Sequence, residues 1–287
     1  MIKIHNLIPD FIRFIEALEK GEDFDYAFKK YYFSPNQKVL KPFYGDVKKI
    51  EKGFSDFEKE FNLKKAKQRL EKIKERGCPE QAEKIIKKAE KFYQKKLTGE
   101  MVLFFSFSFV DGYTRFNKGK NTIYIGMDLP ETEEDYYNIL ISHELNHLTR
   151  DSQEKILKSF GASKKLSHKA YLKKMTFAEH LVNEGLASYF SSRMFPNRKP
   201  WQYVYYSKRQ YDWCQKNQLK IEKKIKQSLR ANSDWGGFYQ ENFIEKGSPE
   251  MTQYFFGINL IKKAVKKYHL QKLTSMPAEK IVSEFIK

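Results

Sequence analysis

Five consecutive residues, His143-Glu144-Leu145-Asn146-His147, carry the densest chemistry in the chain. On a helix, positions i and i+4 lie about 5–6 Å apart on one face, so two imidazoles can aim one nitrogen each at a single metal ion. Neutral imidazole binds a borderline metal without cancelling its charge, so the metal can lower the pKa of a bound water towards about 7. Glu144, beside the first histidine, can take that water's proton as it attacks a carbonyl carbon. A catalytic zinc keeps three protein ligands and one open position. The segment AEHLVNEGLASYF, residues 178–190, offers a third. There Glu184 shares a helical face with His180 and Ser188, and it reaches the ion if its helix packs on the first. Its negative charge would leave zinc a milder Lewis acid than three imidazoles do. His180 is the competing third ligand, and His168 a weaker one.

These residues must be held by elements that the pattern also suggests. Residues 1 to about 98 read as helical: Phe11, Phe14, Ile15 and Leu18 fall at helical spacing behind Pro9-Asp10. A loop is expected around Pro35, Asn36, Pro42 and Gly45. Two Lys/Glu-rich stretches over 47–97, broken at Gly77-Cys78-Pro79, read as an antiparallel helix pair with Ile73, Ile85, Ile86, Ala89 and Phe92 as apolar positions. Past Met101 the texture changes. VLFFSFSFV alternates with a period of two and is aromatic-rich, which predicts a strand. DGYTRFNKGK has turn chemistry, and NTIYIGMD alternates again, with Ile123, Ile125 and Met127 on one face. The two strands are expected to be antiparallel neighbours. Pro130 and Thr132, with Glu133, Glu134 and Asp135, predict the start of an amphipathic helix running to about Arg150. Beyond it the pattern is helical, with breaks near 196–200, 232–237 and 247–249.

Composition narrows the classes. The chain has 287 residues, is 40% apolar and 16% aromatic, and so can build a substantial core. Its 54 Lys and Arg against 36 Asp and Glu leave a net +18, but only nine of the 54 are Arg. That is a surface of solvated ammonium groups rather than of the guanidinium forks that read bases. A basic helical nucleic-acid-binding protein is one rival reading; scarce arginine and the lack of a recognised motif speak against it. Two cysteines, Cys78 and Cys214, are too few for a disulfide scaffold. The first twenty residues are interrupted by His5, Asn6, Pro9, Asp10 and Arg13, and no stretch approaches 18 apolar residues. The expectation is a cytoplasmic protein with no membrane partner.

HELNH followed by NEGLASYF resembles the gluzincin superfamily, to which thermolysin and the aminopeptidase N family belong, and the layout most resembles the bacterial predicted zinc-dependent proteases. The similarity covers roughly residues 100–190. It implies Zn2+ as cofactor, His143, His147 and Glu184 as its ligands, Glu144 as general base, and a peptide or protein substrate. Arg150 and Gln153 stand where a metzincin would have Gly and His, which excludes that class. Thirty-six residues separate His147 from Glu184, and the stretch 151–175 is expected to be a helical insertion. No Gly-x-Met-Glu-Asn segment precedes the motif, so the device that holds a substrate's free amine in aminopeptidases is missing. Ser188 stands where thermolysin-like enzymes have a supporting Asp. The resemblance further implies that NTIYIGMD is an edge strand for an extended substrate, with an ordinary paired strand as the equal alternative. It makes Tyr254 the candidate oxyanion donor, with a packing role as its competitor; the loop Asp234-Trp235-Gly236-Gly237 is a possible cleft wall. The expected fold is α+β, mostly helical and zincin-like. A helical lobe over 1–98 is expected before a metallopeptidase domain over 99–287. A catalytically inactive, peptidase-like binding protein is the other rival. Oligomeric state is left open.

Overall fold

Ile2 and Ile4 alternate with Lys3 and His5, and this run forms strand β1 (Ile2–Asn6). Here the expectation of an all-helical stretch before residue 98 is corrected: a five-residue strand, three of its residues polar, precedes the first helix. The computed structural model describes residues 1–46, 58, 59, 61–128, 136–233 and 235–286. Helix α1 (Ile8–Glu19) begins with Pro9 in its first turn, where a missing N–H costs nothing. After α2 (Phe24–Ala27) come a π-helical turn (Phe28–Phe33) and a 3-10 turn (Ser34–Asn36). The expected loop around Pro42 is instead helix α3 (Gln37–Asp46). Val39, Leu40, Phe43 and Tyr44 are all buried, and that apolar face outweighs the bond lost at Pro42. Helix α4 (Leu63–Arg76) ends at Gly77, whose φ of 57° is left-handed, and α5 (Cys78–Tyr93) follows at once, as the sequence break predicts. The part of the helix pair expected over 47–57 lies outside the described residues.

Strands β2 (Gly99–Phe104), β3 (Gly112–Asn117) and β4 (Lys120–Gly126) join β1 in one sheet of order β1-β2-β4-β3. β1 and β2 pair in parallel, as do β2 and β4, and only β3 and β4 are antiparallel. Three expectations change. β2 stops at Phe104, because both the N–H and the C=O of Phe105 bond to the Tyr32 hydroxyl, at 2.8 and 3.0 Å. The alternating phenylalanines beyond it are an aromatic cluster instead: Phe105 stacks on Phe11 at 3.8 Å. The supposed turn segment is itself a strand, turning only at Lys118-Gly119, both at positive φ, as a two-residue hairpin demands. β4 is therefore interior and parallel to β2, and β3 takes the edge.

The expected helix start at 130–135 lies outside the described residues; α6 is described over Tyr136–Asp151. Then follow α7 (Glu154–Ser159), α8 (His168–Lys174), α9 (Phe177–Met194), α10 (Lys208–Lys216), α11 (Gln218–Ala231), α12 (Thr252–Ala264), α13 (Leu270–Thr274) and α14 (Ala278–Phe285). The protein is α+β and mostly helical, with a small mixed sheet. One continuous core runs from Leu7 through the sheet to Ile281. No helix among the described residues is long and apolar enough to cross a membrane.

α6 lies between the sheet and α9, and α9 in turn crosses α12. That second crossing is backbone on backbone. A Cβ at Gly185 would sit 2.5 Å from the Gly257 carbonyl, and one at Gly257 would sit 2.9 Å from the Leu181 oxygen. Neither neighbour is a flexible side-chain end that can move aside. Gly185→Ala is expected to destabilise the fold by about 3 kcal/mol through overpacking. Urea unfolding followed by circular dichroism checks this; an unchanged midpoint would mean that the helices can separate freely.

Candidate metal centre

α6 and α9 do not have the one-sided apolar stripe of surface helices. Every residue of α6 from Tyr137 to Asp151 is buried, polar ones included, and α9 is buried at all but a few positions. Buried polar groups are costly unless they pair, and here they pair with each other across the crossing. His143 and His147, one turn apart, place their rings 4.6 Å apart. Their Nε2 atoms lie 3.0 and 3.4 Å from the same oxygen, Glu184 Oε2. Burial opposes a charged His147, but facing Glu184 raises its pKa to about 10. Burial likewise opposes the Glu184 charge, and the two imidazoles overcome it, holding the carboxyl well below its usual range.

This donor set fits a metal. Ligands about 2.0–2.1 Å from a tetrahedral zinc stand about 3.3 Å apart, and the two imidazole Nε2 atoms stand 3.0 and 3.4 Å from the Glu184 oxygen. His143, Glu144 and His147 also bring their ligand atoms within 4.8 Å of one another. Neither imidazole Nδ1 finds a hydrogen-bond partner among the described residues. Aromatic packing orients the His143 ring, which lies 5.9 Å from Tyr254 and nearly parallel to it, and 5.4 Å from Tyr205, edge-on. Ser188 is fully buried, and its hydroxyl likewise bonds to no described group, so it supports no ligand.

Glu144 faces the sheet. Thr114 on β3 donates to Glu144 Oε2 at 2.6 Å. Gly112 leaves room for the other oxygen: a Cβ there would meet Glu144 Oε1 at 2.8 Å and Leu140 Cδ1 at 2.6 Å. Asp111, next to Gly112, also lines a cavity of about 660 Å³ walled by Phe61, Phe105, Phe107, Lys65 and Arg69.

The sequence candidates divide cleanly. His143, Glu144, His147, Glu184 and Tyr254 come together. His180 is nearby but otherwise engaged: its Nδ1 is 3.9 Å from Glu184 Oε1, its Nε2 is 3.4 Å from the Tyr239 hydroxyl, and its ring stacks on Trp235 at 4.9 Å. His168 sits on the far end of β3, with Nδ1 at 3.1 Å from the Phe116 carbonyl and Nε2 bonded to the Tyr113 hydroxyl. It pins α8 to the sheet. Of the loop at 234–237, Asp234 lies outside the described residues, while Trp235 does wall this side through His180.

The family described as Predicted Zn-dependent protease (DUF2268) matches residues 109–283, which include all five converging residues. The chain belongs to this family. No curated protein and no solved structure matches it.

The family match also spans a buried clamp that the sequence did not reveal. Arg150, with no exposed surface, forks onto Glu179 at 2.6 and 2.8 Å and reaches the carbonyls of Thr274 and Met276 at 3.0 Å. It joins α6, α9 and the α13–α14 connection just beyond the histidines. Burial raises the Glu179 pKa, and Arg150 works against that rise. Asp151 accepts from Asn183 at 3.2 Å; its own pKa is pushed up by burial to about 6, against the pull of His147. Arg150 gave no sequence signal beyond its type, because its partner is far along the chain. Removing one partner strands a buried charge, so Arg150→Met is expected to cost about 3–5 kcal/mol. Adding Glu179→Leu should recover much of that loss. Urea midpoints of the single and double variants check both, and a double variant no better than the single would refute the clamp.

Proposed function

We propose that the protein is a zinc-dependent peptidase of gluzincin type, with His143, His147 and Glu184 as metal ligands and Glu144 as general base. The observation that carries this reading is the meeting of both imidazole Nε2 atoms at one carboxylate oxygen, 3.0 and 3.4 Å away. The family description supports the same chemistry. A zinc ion held there would polarise a scissile carbonyl and acidify water towards neutrality. Thr114 holds Glu144 Oε2 and leaves Oε1 to take the proton from attacking water and to return it to the leaving amine. Tyr254, the sequence candidate for the oxyanion, bonds through its hydroxyl to Glu184 and to Tyr239 at 3.4 Å. In this reading it orients the carboxylate ligand.

The substrate would lie along β3. Asp111 O accepts from Gly126 N at 2.8 Å, so the register turns the odd positions 111, 113 and 115 towards β4. The peptide groups of Gly112 and Thr114 then face outward, beside Glu144. The outward carbonyl of Phe116 is already taken by His168. An extended peptide can add to the open part of this edge, with the neighbouring cavity taking side chains.

Glu144→Gln is expected to keep zinc and lose cleavage by about 10²–10⁴-fold. Metal analysis together with cleavage profiling on a peptide library tests this; undiminished cleavage would exclude Glu144 as base. Glu184→Ala should lower zinc content and His180→Ala should not, and the reverse pattern would move the third ligand to His180.

A further inference from the structure

Three phenols crowd the His143 ring and its ligand partner. Tyr239 stands 3.4 Å from His180 Nε2 and 3.4 Å from the Tyr254 hydroxyl, and Tyr254 also bonds to Glu184. The third is Tyr205. Among the described residues its hydroxyl is buried with no hydrogen-bond partner, although part of the residue reaches solvent. A buried hydroxyl without a partner carries the full cost of leaving water.

The backbone at Tyr205 carries a second cost. Tyr205 closes the 3-10 turn Pro200–Val204 at φ 59°, ψ 32°, the left-handed region where glycine or asparagine ordinarily ends a helix. A β-carbon there crowds the following carbonyl oxygen and is unfavourable. The conformation places the ring between two others, 5.8 Å from Tyr136 and 5.4 Å from His143, with Tyr254 at 6.4 Å. Tyr136 is itself fixed by its hydroxyl bond to Asp111. The carboxylates of Glu144 and Glu184 are among the charges that bear on the Tyr205 hydroxyl. Strained backbone and an unsatisfied donor at one residue, both aimed at one site, are the mark of a functional group.

We infer that the Tyr205 hydroxyl donates a hydrogen bond to the scissile carbonyl oxygen as water adds to the carbon, and is thereby a catalytic residue. The inference rests on the peptidase reading above. As the water oxygen bonds to the carbonyl carbon, the C=O π pair moves onto its oxygen and Glu144 takes the water's proton. When that pair returns, the C–N bond breaks and Glu144 delivers its proton to the amine. Tyr205 keeps its own proton throughout. Its hydrogen bond is strongest where negative charge is greatest, so it acts on kcat rather than on KM.

The test uses the full zinc-loaded chain and a peptide identified by library cleavage. Tyr205→Phe is expected to lower kcat about a hundredfold, as loss of one oxyanion donor does. KM and zinc content should stay within about threefold of the wild type. A phosphinic peptide of the same sequence, which mimics the tetrahedral carbon, should bind more weakly by a similar factor. Tyr254→Phe should instead lower zinc retention. A Tyr205→Phe variant with unchanged kcat, or with only KM or zinc content altered, overturns the inference and leaves the peptidase reading standing. A wild-type protein that cuts no peptide and binds no phosphinic peptide overturns both. Should the variant not fold, a crystal structure of the wild-type phosphinic complex decides: a Tyr205 hydroxyl farther than about 3.5 Å from the phosphinyl oxygens refutes the assignment.

Discussion

The structure depends on one buried contact between two helices that are distant in sequence: a single carboxylate oxygen of Glu184 facing the Nε2 atoms of His143 and His147. A carboxylate removed from water is tolerable only when opposite charge or strong donors surround it. A divalent cation would satisfy all three groups at once, and their mutual spacing suits one. Most of the remaining architecture can be read as what is needed to keep α6 and α9 at that separation. The sheet backs α6 through Thr114 and Gly112, and the paired glycines let α12 press against α9 from the other side. That second contact also carries Tyr254, one turn before Gly257, to Glu184, the neighbour of Gly185.

Central helices with polar residues on nearly every side are unusual in a protein of this size, and the pairings explain why they are tolerated. Beyond the three metal-type ligands, Arg150 meets Glu179, Asn183 meets Asp151, and Asn146 reaches the Tyr93 hydroxyl at 2.7 Å. Two of these bonds tie α6 to α9, and the third ties it to α5. An apolar interface of the same area would hold the helices as firmly but would let them slide or rotate by a fraction of a turn. Directional bonds at both ends of α6 do not, and a shared ligand point tolerates little displacement. The buried polar layer is thus a register device as well as a site.

What the sequence revealed and what it hid follow the range of the interactions concerned. His143, Glu144 and His147 were legible because their geometry is local: i and i+4 on any helix share a face. Glu184 was legible through its segment, whose glycine turns out to be a packing necessity. The sheet was misread where local pattern and tertiary pairing disagree. Gly112, Asn117 and Gly119 made β3 look like a turn, and the phenylalanines after Phe104 alternate for an aromatic cluster rather than for a ladder. Parallel pairing of β2 with β4 leaves no local mark at all. Arg150 and Tyr205 stayed hidden for a further reason. One is defined by a partner 29 positions away, and the other, among 18 tyrosines, by a backbone angle and an absent hydrogen bond.

The family match begins at residue 109, after β1, β2 and helices α1–α5, yet those elements are not an appendage to the site. β2 is the inner neighbour of β4, and β4 in turn carries β3, whose Thr114 and Gly112 place Glu144. α5 packs on α6 and supplies the Tyr93 hydroxyl to Asn146, between the two histidines. Phe11 stacks on Phe105, and Tyr32 caps the same residue, so the end of β2 is set by the N-terminal helices. The chain before residue 109 therefore acts as the back wall against which the motif helix is held. Family membership is shown over 109–283, while the placement of the residues inside that span depends on packing that starts at the first strand.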